Sequence, residues 1–241
     1  MKITLSLEKT SSSDISIMVD ALRASTTITI AMDKFDTIIP SFSPEEAKSI
    51  AKRTGGILAG ERMGAKIEGF DVGNSPVDIK NLNTDSKTLI LTTSNGTRIL
   101  KDMDSTVLIG CFLNARAVGK TCLKIAEDKN LEHIDVVMAG WKGEFAIEDF
   151  LASGEILYWI SKELSEKKDY KKNFEISGYA KEAILASRDF EEVKRVIKST
   201  ESASRLRKLG YGKDIDFSLK KNISENVAIF ENDVLKLFKN D

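Results

Sequence analysis

The chain has 241 residues, of which 41% are hydrophobic and 30% are charged, a composition typical of a globular protein with a substantial core. Its 36 basic and 37 acidic residues give a net charge of −1, so no global field favours nucleic acid or an anionic membrane, and any anion site must be local. No window is apolar enough for a membrane span, and Cys111 and Cys122 match no disulfide or zinc framework, so we expect a cytoplasmic protein.

Short apolar runs alternate with helical patterns along the chain. Most runs have four or five residues rich in Ile, Val and Leu, as strands buried on both faces should. The predicted strands are Ile3–Leu7, Ser16–Val19, Thr37–Ile39, Gly56–Ala59, Thr88–Leu91, Val107–Ile109, Ile134–Met138 and Ile215–Leu219. Helices are predicted from Ser43-Pro44 and over Asn95–Met103, Leu113–Asp128, Ile147–Lys167, Ala180–Ala186, Phe190–Lys198 and Ser202–Leu209. The alternation predicts an α/β protein with a mostly parallel or mixed sheet.

The domain organisation is less sharply marked. The stretch from about residue 161 is more charged and richer in helix than the part before it, but no proline- or glycine-rich linker precedes it. We predict one domain over residues 1–241, within which residues from about 161 to 241 could form a second lobe. The apolar segment Phe150–Ile160 would suit a homodimer interface as well as the core.

A polar segment directly after the second predicted strand is the strongest functional signal. Asp20 and Arg23 follow Ser16–Val19, and three hydroxyl residues then open the next helix. In open α/β sheets, ligands bind beyond the carboxyl ends of strands, where a helix start offers free N–H groups to an anion. An acid that can hold a cation beside groups that can hold phosphate predicts metal-assisted phosphate chemistry.

Similar polar clusters recur after other strands and in one loop, and together they argue for one shared site. Carboxylate oxygens are the ligands that Mg²⁺ prefers, and arginine forks suit phosphate, carboxylate or sulfonate oxygens. The candidate Mg²⁺ ligands are Asp20, Glu61, Glu148 and Asp149, and the candidate catalytic residues are Asp20, Arg23 and Glu148. The candidate substrate-binding residues are Ser25, Thr26, Thr27, Arg62, Asn74, Thr93, Ser94, Asn95, Gly96, Thr97 and Gly140.

Purely structural interpretations of these clusters stay open. Glu148 and Asp149 would stabilise a helix N-terminus without any metal, and Thr92–Thr97 could be a capped helix start.

Other catalytic and nucleotide-binding chemistries fit the sequence poorly. His133 is the single histidine, and no Gly-x-Ser-x-Gly elbow, Walker loop or GxGxxG motif occurs, which disfavours serine–histidine hydrolysis and the usual modes of nucleotide binding.

Five of the motifs occur in an order and spacing that is specific when taken together. They are Val19–Thr27, Gly60–Arg62, Gly73–Pro76, Thr92–Thr97 and Ala139-Gly140 followed by Glu148-Asp149, with a weaker continuation over Ser202–Phe217. In these motifs the chain resembles the 2-phosphosulfolactate phosphatase (ComB) family. The resemblance implies a three-layer α/β/α fold of the ComB type and a Mg²⁺-dependent phosphatase. It also implies the reaction: 2-phospho-3-sulfolactate gives 3-sulfolactate and phosphate, a step of coenzyme M biosynthesis.

The substrate that the resemblance implies is a small anion carrying phosphate, carboxylate and sulfonate groups. Arg23, Arg62 and a metal ion would balance that charge, with Arg62 and Asn74 at the carboxylate or sulfonate end. Trp141 and Lys142 stand where the family more often has small hydroxyl residues, which bears on the substrate more than on the reaction. Two alternatives remain: a phosphatase for another phosphorylated hydroxy acid, and a non-catalytic module that binds phosphate.

Overall fold

The computed structural model describes residues 1–100, 103–166 and 174–239. The strands are β1 Lys2–Leu7, β2 Ile15–Val19, β3 Thr37–Pro40, β4 Ile57–Arg62, β5 Ala65–Lys66, β6 Thr88–Thr92, β7 Thr106–Ile109, β8 His133–Met138, β9 Glu175–Ile176, β10 Ala228–Glu231 and β11 Val234–Leu237. The helices are α1 Ala24–Ala31, α2 Pro44–Thr54, α3 Pro76–Asn81, α4 Gly96–Leu100, α5 Ala115–Lys129, α6 Ile147–Glu166, α7 Gly178–Ala186, α8 Phe190–Ser199, α9 Glu201–Lys208 and α10 Gly212–Ser218. Positions 101–102 and 167, inside or at the end of two predicted helices, lie outside the described residues.

All the strands join one mixed sheet in the order β5-β4-β6-β3-β11-β10-β7-β2-β8-β1-β9. Strands β4, β6 and β3 run parallel to one another, and so do β7, β2, β8, β1 and β9. The β10–β11 hairpin joins the two groups through three antiparallel pairs: β7 with β10, β10 with β11, and β11 with β3. With helices on both faces, this architecture confirms the predicted three-layer α/β/α fold class.

Alternation along the central strands divides the interior into two cores. On β2, Ile17 and Val19 face a core formed with α5 and α6, whereas Met18 faces the core around α1. Fully covered strands of this kind need apolar residues on both faces, which explains their continuous Ile, Val and Leu runs. The core around α1 contains residues from both parallel groups, including Met18 of β2 and Leu91 of β6.

Helix α6 contributes its apolar face to this chain's own core. Ile156, Leu157 and Ile160 are buried there, while Tyr158 and Trp159 are half-buried beside them. The homodimer interface that the sequence allowed on this segment therefore stays a prediction. None of the helices in the described part of the chain has the length and apolar character needed to cross a bilayer.

The predicted strand Ile215–Leu219 is wrong, because these residues lie in and just after α10. Their alternating pattern is too short to distinguish a strand from a buried helical turn. Helix α10 packs against α3 and α9, so Ile215 and Phe217 are both buried although they are two residues apart.

The β10–β11 hairpin and α3 escaped prediction, although each carries a sequence signal. Asn232 and Asp233 have φ values of 50° and 62°, as a two-residue hairpin turn requires. Ser75 accepts a hydrogen bond from the Asp78 N–H at 3.1 Å and is followed by proline, the same start signal that was used for α2 at Ser43-Pro44.

Candidate active site

Asp20 follows β2 directly and is fixed by the first turn of α1. Its Oδ1 accepts a hydrogen bond from the Ala24 N–H at 3.2 Å, and its own N–H donates to Ser25 Oγ at 2.9 Å. Asp20 as a whole residue is 8% exposed. Burial raises the pKa of Asp20 to about 7; the nearby Glu61 and Glu148 add to the rise, and the Ala24 N–H and Arg23 oppose it. For Asp20, the effect of burial thus outweighs the groups that favour its charged form.

Glu148 and Asp149 approach Asp20 from the start of α6. Asp149 Oδ1 accepts from the Ala21 N–H at 2.8 Å and Oδ2 from the Gly140 N–H at 3.0 Å, which ties together the loops after β2 and β8. Burial raises the pKa of Asp149 well above its usual range, and the charges of Asp20 and Glu148 raise it further. Glu148 is 5% exposed, and its carboxylate has no donor or ion-pair partner in the described ranges.

Glu61 connects two loops at the edge of the site. Its Oε2 accepts from the Gly64 N–H at 2.6 Å and its Oε1 from the Ser94 N–H at 2.7 Å. Both oxygens therefore already hold backbone groups, although each keeps a lone pair directed elsewhere. The negative charge of Glu61 still acts on Asp20.

The predicted hydroxyl residues divide into two groups. Those of α1 are fully buried: Ser25 Oγ donates to the Met18 carbonyl, Thr26 Oγ1 donates to the Ala21 carbonyl, and Thr27 Oγ1 has no partner among the described residues. Thr93 and Thr97 bond to each other, since the Thr97 N–H donates to Thr93 Oγ1 at 3.1 Å. These five residues do not line the cleft at Asp20, so the structure places them in supporting positions.

The segment after β6 approaches Asp20 closely because residue 96 is glycine. A Cβ atom there would lie 2.8 Å from the Ala24 Cβ and 3.1 Å from Asp20 Oδ2. The three antiparallel steps between β7 and β3 reverse the direction of the two parallel groups, so a flat sheet would not bring these loops together. Residues of both groups instead pack into the one core around α1, and the loop after β6 meets Asp20 beside the first turn of that helix.

Arg23 lies in the site but is already paired. Its Nη1 donates to Asp214 Oδ2 at 2.7 Å, its Nη2 donates to the Gly64 carbonyl at 2.7 Å, and its guanidinium lies 4.4 Å from the centroid of the Tyr211 ring. Ser75 Oγ holds the second oxygen of Asp214 at 2.7 Å. The Arg23 side chain is 2% exposed, so its charge is neutralised within the protein and it offers few free N–H groups.

A narrow cleft with a cavity volume of about 50 Å³ opens beside Asp20. Of the predicted residues, it is lined by Asp20, Arg23, Glu61, Asn74, Ser94 and Asn95. A wider depression of about 390 Å³ adjoins it, shares Ser94 and Asn95, and adds Arg62. Arg62 donates to the Glu61 carbonyl at 2.7 Å and to Thr92 Oγ1 at 3.0 Å, so its charge has only neutral acceptors among the described residues.

Comparison with known proteins identifies the family. A family model described as 2-phosphosulpholactate phosphatase matches residues 2–233. A 2-phosphosulfolactate phosphatase of Methanothermobacter thermautotrophicus is 40% identical over 239 residues, which cover 99% of this chain and 96% of the relative. The chain belongs to the 2-phosphosulfolactate phosphatase family. The resemblance found in the sequence is confirmed, and the chain is a phosphoric monoester hydrolase by this membership.

Other relatives support the same assignment. A 2-phosphosulfolactate phosphatase of Methanocaldococcus jannaschii is 33% identical over 235 residues, covering 94% of this chain and 93% of the relative. A probable 2-phosphosulfolactate phosphatase of Clostridium acetobutylicum is 35% identical over 221 residues, covering 90% and 89%. The match therefore includes the segment after residue 174 that supplies Asp214.

In this member of the 2-phosphosulfolactate phosphatase family, sequence reasoning missed the site residues supplied by that C-terminal segment. Asp214 and Tyr211 hold Arg23, while Ser202 and Arg205 of α9 line the cleft. The Leu209-Gly210-Tyr211 and Asp214 motif was a usable signal for the first pair. No local pattern indicates Ser202 or Arg205, because only the packing of α9 brings them to the cleft.

The donor set fits a hard cation such as Mg²⁺ in part. In the described ranges, no three acidic, histidine or cysteine side chains form a ready-made metal site. Asn74 Oδ1, however, is buried without a partner there, and Glu148 is 5% exposed with no hydrogen bond to another described group. With Asp20, these groups give two carboxylates and one carbonyl oxygen in or beside one cleft, a set that Mg²⁺ completes with water and phosphate oxygens.

Proposed function

We propose that this chain hydrolyses 2-phospho-3-sulfolactate to 3-sulfolactate and phosphate with Mg²⁺, as a cytoplasmic step of coenzyme M biosynthesis. The names of the relatives support the reaction and substrate. The Mg²⁺ requirement rests on the site, and the pathway rests on the family resemblance.

The observation that carries the proposal is the pair Asp20 and Glu148. Both residues are buried, the charge of Glu148 raises the pKa of Asp20, and a substrate with phosphate, carboxylate and sulfonate charges must approach them. Without a metal ion these two carboxylates would repel that ligand, whereas a divalent ion held by both of them would attract it. This charge argument also disfavours the alternative of a module that only binds phosphate.

Asp20 and Glu148 would hold the metal ion, with Asn74 Oδ1 beside them. When bound there, Mg²⁺ would supply charge neutralisation at the phosphoryl oxygens and acidify a coordinated water. Glu61 and Asp149, whose oxygens hold backbone N–H groups, would position the surrounding loops and contribute negative charge.

The protein's own donors would orient the phosphate. Ser94 and Asn95 line the cleft beside Asp20 and can donate O–H and N–H groups to phosphoryl oxygens. Arg23 also lines this cleft, where the N–H groups not bonded to Asp214 and Gly64 would face the phosphate while Asp214 fixes the guanidinium plane. Fixed donors of this kind stabilise charge that develops on a transferring phosphoryl group without having to reorganise.

The first experiment measures phosphate release from 2-phosphosulfolactate with Mg²⁺ and with EDTA, and compares phospholactate, phosphoglycolate and 2-phosphoglycerate. We expect turnover that requires Mg²⁺ and prefers the sulfonate. Asp20→Asn and Glu148→Gln should each lower kcat/KM by at least about 100-fold, because each removes a ligand charge. Asp85→Asn, a change of an exposed acid away from the cleft, is the matched control.

Each outcome has a definite meaning. Mg²⁺-dependent turnover that prefers another phospho-acid would support the metal-dependent reaction and contradict 2-phospho-3-sulfolactate as the substrate. Full activity in EDTA would contradict the proposed requirement for Mg²⁺. A folded protein that binds Mg²⁺ and releases phosphate from none of these compounds would favour the module that only binds phosphate.

A further inference from the structure

Among the described residues, four cationic side chains line the cleft and its adjoining depression, and they differ in how far their charge is already neutralised or hydrogen-bonded. Arg23 is paired with Asp214, and Arg62 donates to a carbonyl and a hydroxyl. Lys142 is exposed, with its Nζ 4.6 Å from the centroid of the Trp141 ring. Arg205 is the fourth.

Arg205 combines an unpaired charge with a fixed plane. It lies on α9, lines the same narrow cleft as Asp20, and is half-buried. Within the described ranges its guanidinium has no carboxylate and no hydrogen-bond acceptor, only the Trp141 ring at 4.4 Å from centroid to Cζ. Stacking leaves the N–H edges of a guanidinium free, and these edges match an oxyanion in a bidentate way.

Building on the proposed function, we propose that Arg205, stacked on Trp141, is the residue that binds the substrate's sulfonate and so determines specificity. With the phosphate bound beside Asp20, the sulfonate of a three-carbon substrate would lie in the same cleft, close enough to bind a cationic side chain there. The weakly hydrated guanidinium on an aromatic surface suits a weakly basic sulfonate better than a strongly hydrated ammonium does. Arg205 thereby gives α9 a direct role in substrate recognition.

A purely structural role for the stack makes a different prediction. If Arg205 only packs α9 against the loop that carries Trp141, its loss would lower stability and affect all substrates alike. If it binds the sulfonate, its loss would affect sulfonated ligands selectively. Selectivity between two ligands that share the phosphate and carboxylate therefore separates the two roles.

The test compares Arg205→Gln with Arg205→Lys and with Lys208→Gln, which removes an exposed charge from the same helix. Hydrolysis of 2-phosphosulfolactate and of phospholactate, which lacks the sulfonate, is measured for each variant. We expect Arg205→Gln to raise KM for 2-phosphosulfolactate by about 10- to 100-fold and to leave phospholactate nearly unchanged. Arg205→Lys should recover part of the loss, and Lys208→Gln should behave as the parent protein.

Calorimetric binding of 3-sulfolactate, which carries no phosphate to hydrolyse, tests Arg205 independently of turnover. Weaker binding to Arg205→Gln than to the parent supports the inference even if the parent hydrolyses no tested phospho-acid, in which case only the proposed function fails. Equal losses on both phospho-acids overturn the inference. So does unchanged 3-sulfolactate binding in Arg205→Gln, or a parent protein that does not bind 3-sulfolactate.

Discussion

At the scale of single residues, the acid at position 20 shows how burial and function oppose each other. Asp20 gains one backbone hydrogen bond from α1, but burial and the charges of Glu61 and Glu148 outweigh it, and its pKa rises to about 7. The folded, metal-free protein therefore holds a proton that the unfolded chain releases at much lower pH. The carboxylate is kept in a costly place that a cation would relieve.

This cost predicts a pH-dependent effect of Asp20→Asn on stability in EDTA. Because the folded-state pKa exceeds the unfolded value of 3.8, the contribution of Asp20 to stability is present below about pH 4 and is lost as the pH rises through 7. Asparagine carries no such penalty, so the variant should unfold a few degrees higher than the parent at pH 8. At pH 4 the two should coincide. Thermal unfolding followed by circular dichroism checks this.

Asp85→Asn, which changes an exposed carboxylate, should show no such pH-dependent difference. A gain in Asp20→Asn that is equal at pH 4 and pH 8 would mean that the charge of Asp20 is not what costs stability.

At the scale of elements, the site depends on how closely α4 and α1 approach each other. Gly96 permits that approach, since an added Cβ would meet Ala24 at 2.8 Å, a distance that real contacts do not reach. The neighbours in question belong to the first turn of α1 and to Asp20 itself. A side chain at position 96 must therefore displace part of the site.

We predict that Gly96→Ala lowers the free energy of unfolding by about 1 to 3 kcal/mol, the usual cost of overpacking. It should also lower kcat/KM by roughly 10- to 100-fold, because a small shift beside a catalytic group is expensive. Urea denaturation and steady-state kinetics measure the two effects. Gly178→Ala is the matched control, because nothing lies within 4 Å of its added Cβ, and it should leave both quantities intact. A fully active Gly96→Ala would show that α4 moves freely away from Asp20.

At the scale of the whole molecule, the β10–β11 hairpin completes the sheet. It lies between β7 and β3, so residues from the end of the chain connect two groups of strands formed by its first three quarters. Leu235 on β11 is fully buried in the core around α1 and is paired with Ile38 of β3. The same C-terminal region supplies Asp214 to Arg23.

Leu235→Ala should therefore destabilise the molecule by about 2 to 5 kcal/mol, as large-to-small changes in cores do. For a chain of this size the unfolding temperature should fall by roughly 4 to 20 °C. We expect a single cooperative transition in calorimetry for both proteins. Lys236→Ala, the exposed neighbour on the same strand, should unfold near the parent temperature. Two separate transitions in the parent would instead favour the second lobe over residues 161–241.

Much of the architecture was readable in the sequence for local reasons. The runs at Ile3–Leu7, Ser16–Val19 and Ile134–Met138 are short and mostly apolar, and this local pattern was enough to predict their strands. Ser43-Pro44 predicts the start of α2 through a cap and a fixed φ. The segment Ile215–Leu219 was wrongly predicted as a strand, because a five-residue alternation fits both a strand and a helical turn.

The sequence by itself determined the α/β class, the acids that follow β2 and open α6, and the order of motifs that marks the family, because each depends on neighbours along the chain. Only the tertiary structure decided that Asp214 neutralises Arg23, that the α1 hydroxyls support the site from within, and that Arg205 reaches the cleft from α9. The pair Arg23–Asp214 spans 191 positions, and both this pair and the placement of Arg205 depend on the packing of the C-terminal helices. No local pattern encodes such distances, so chemistry that depends on them becomes visible only in the folded chain.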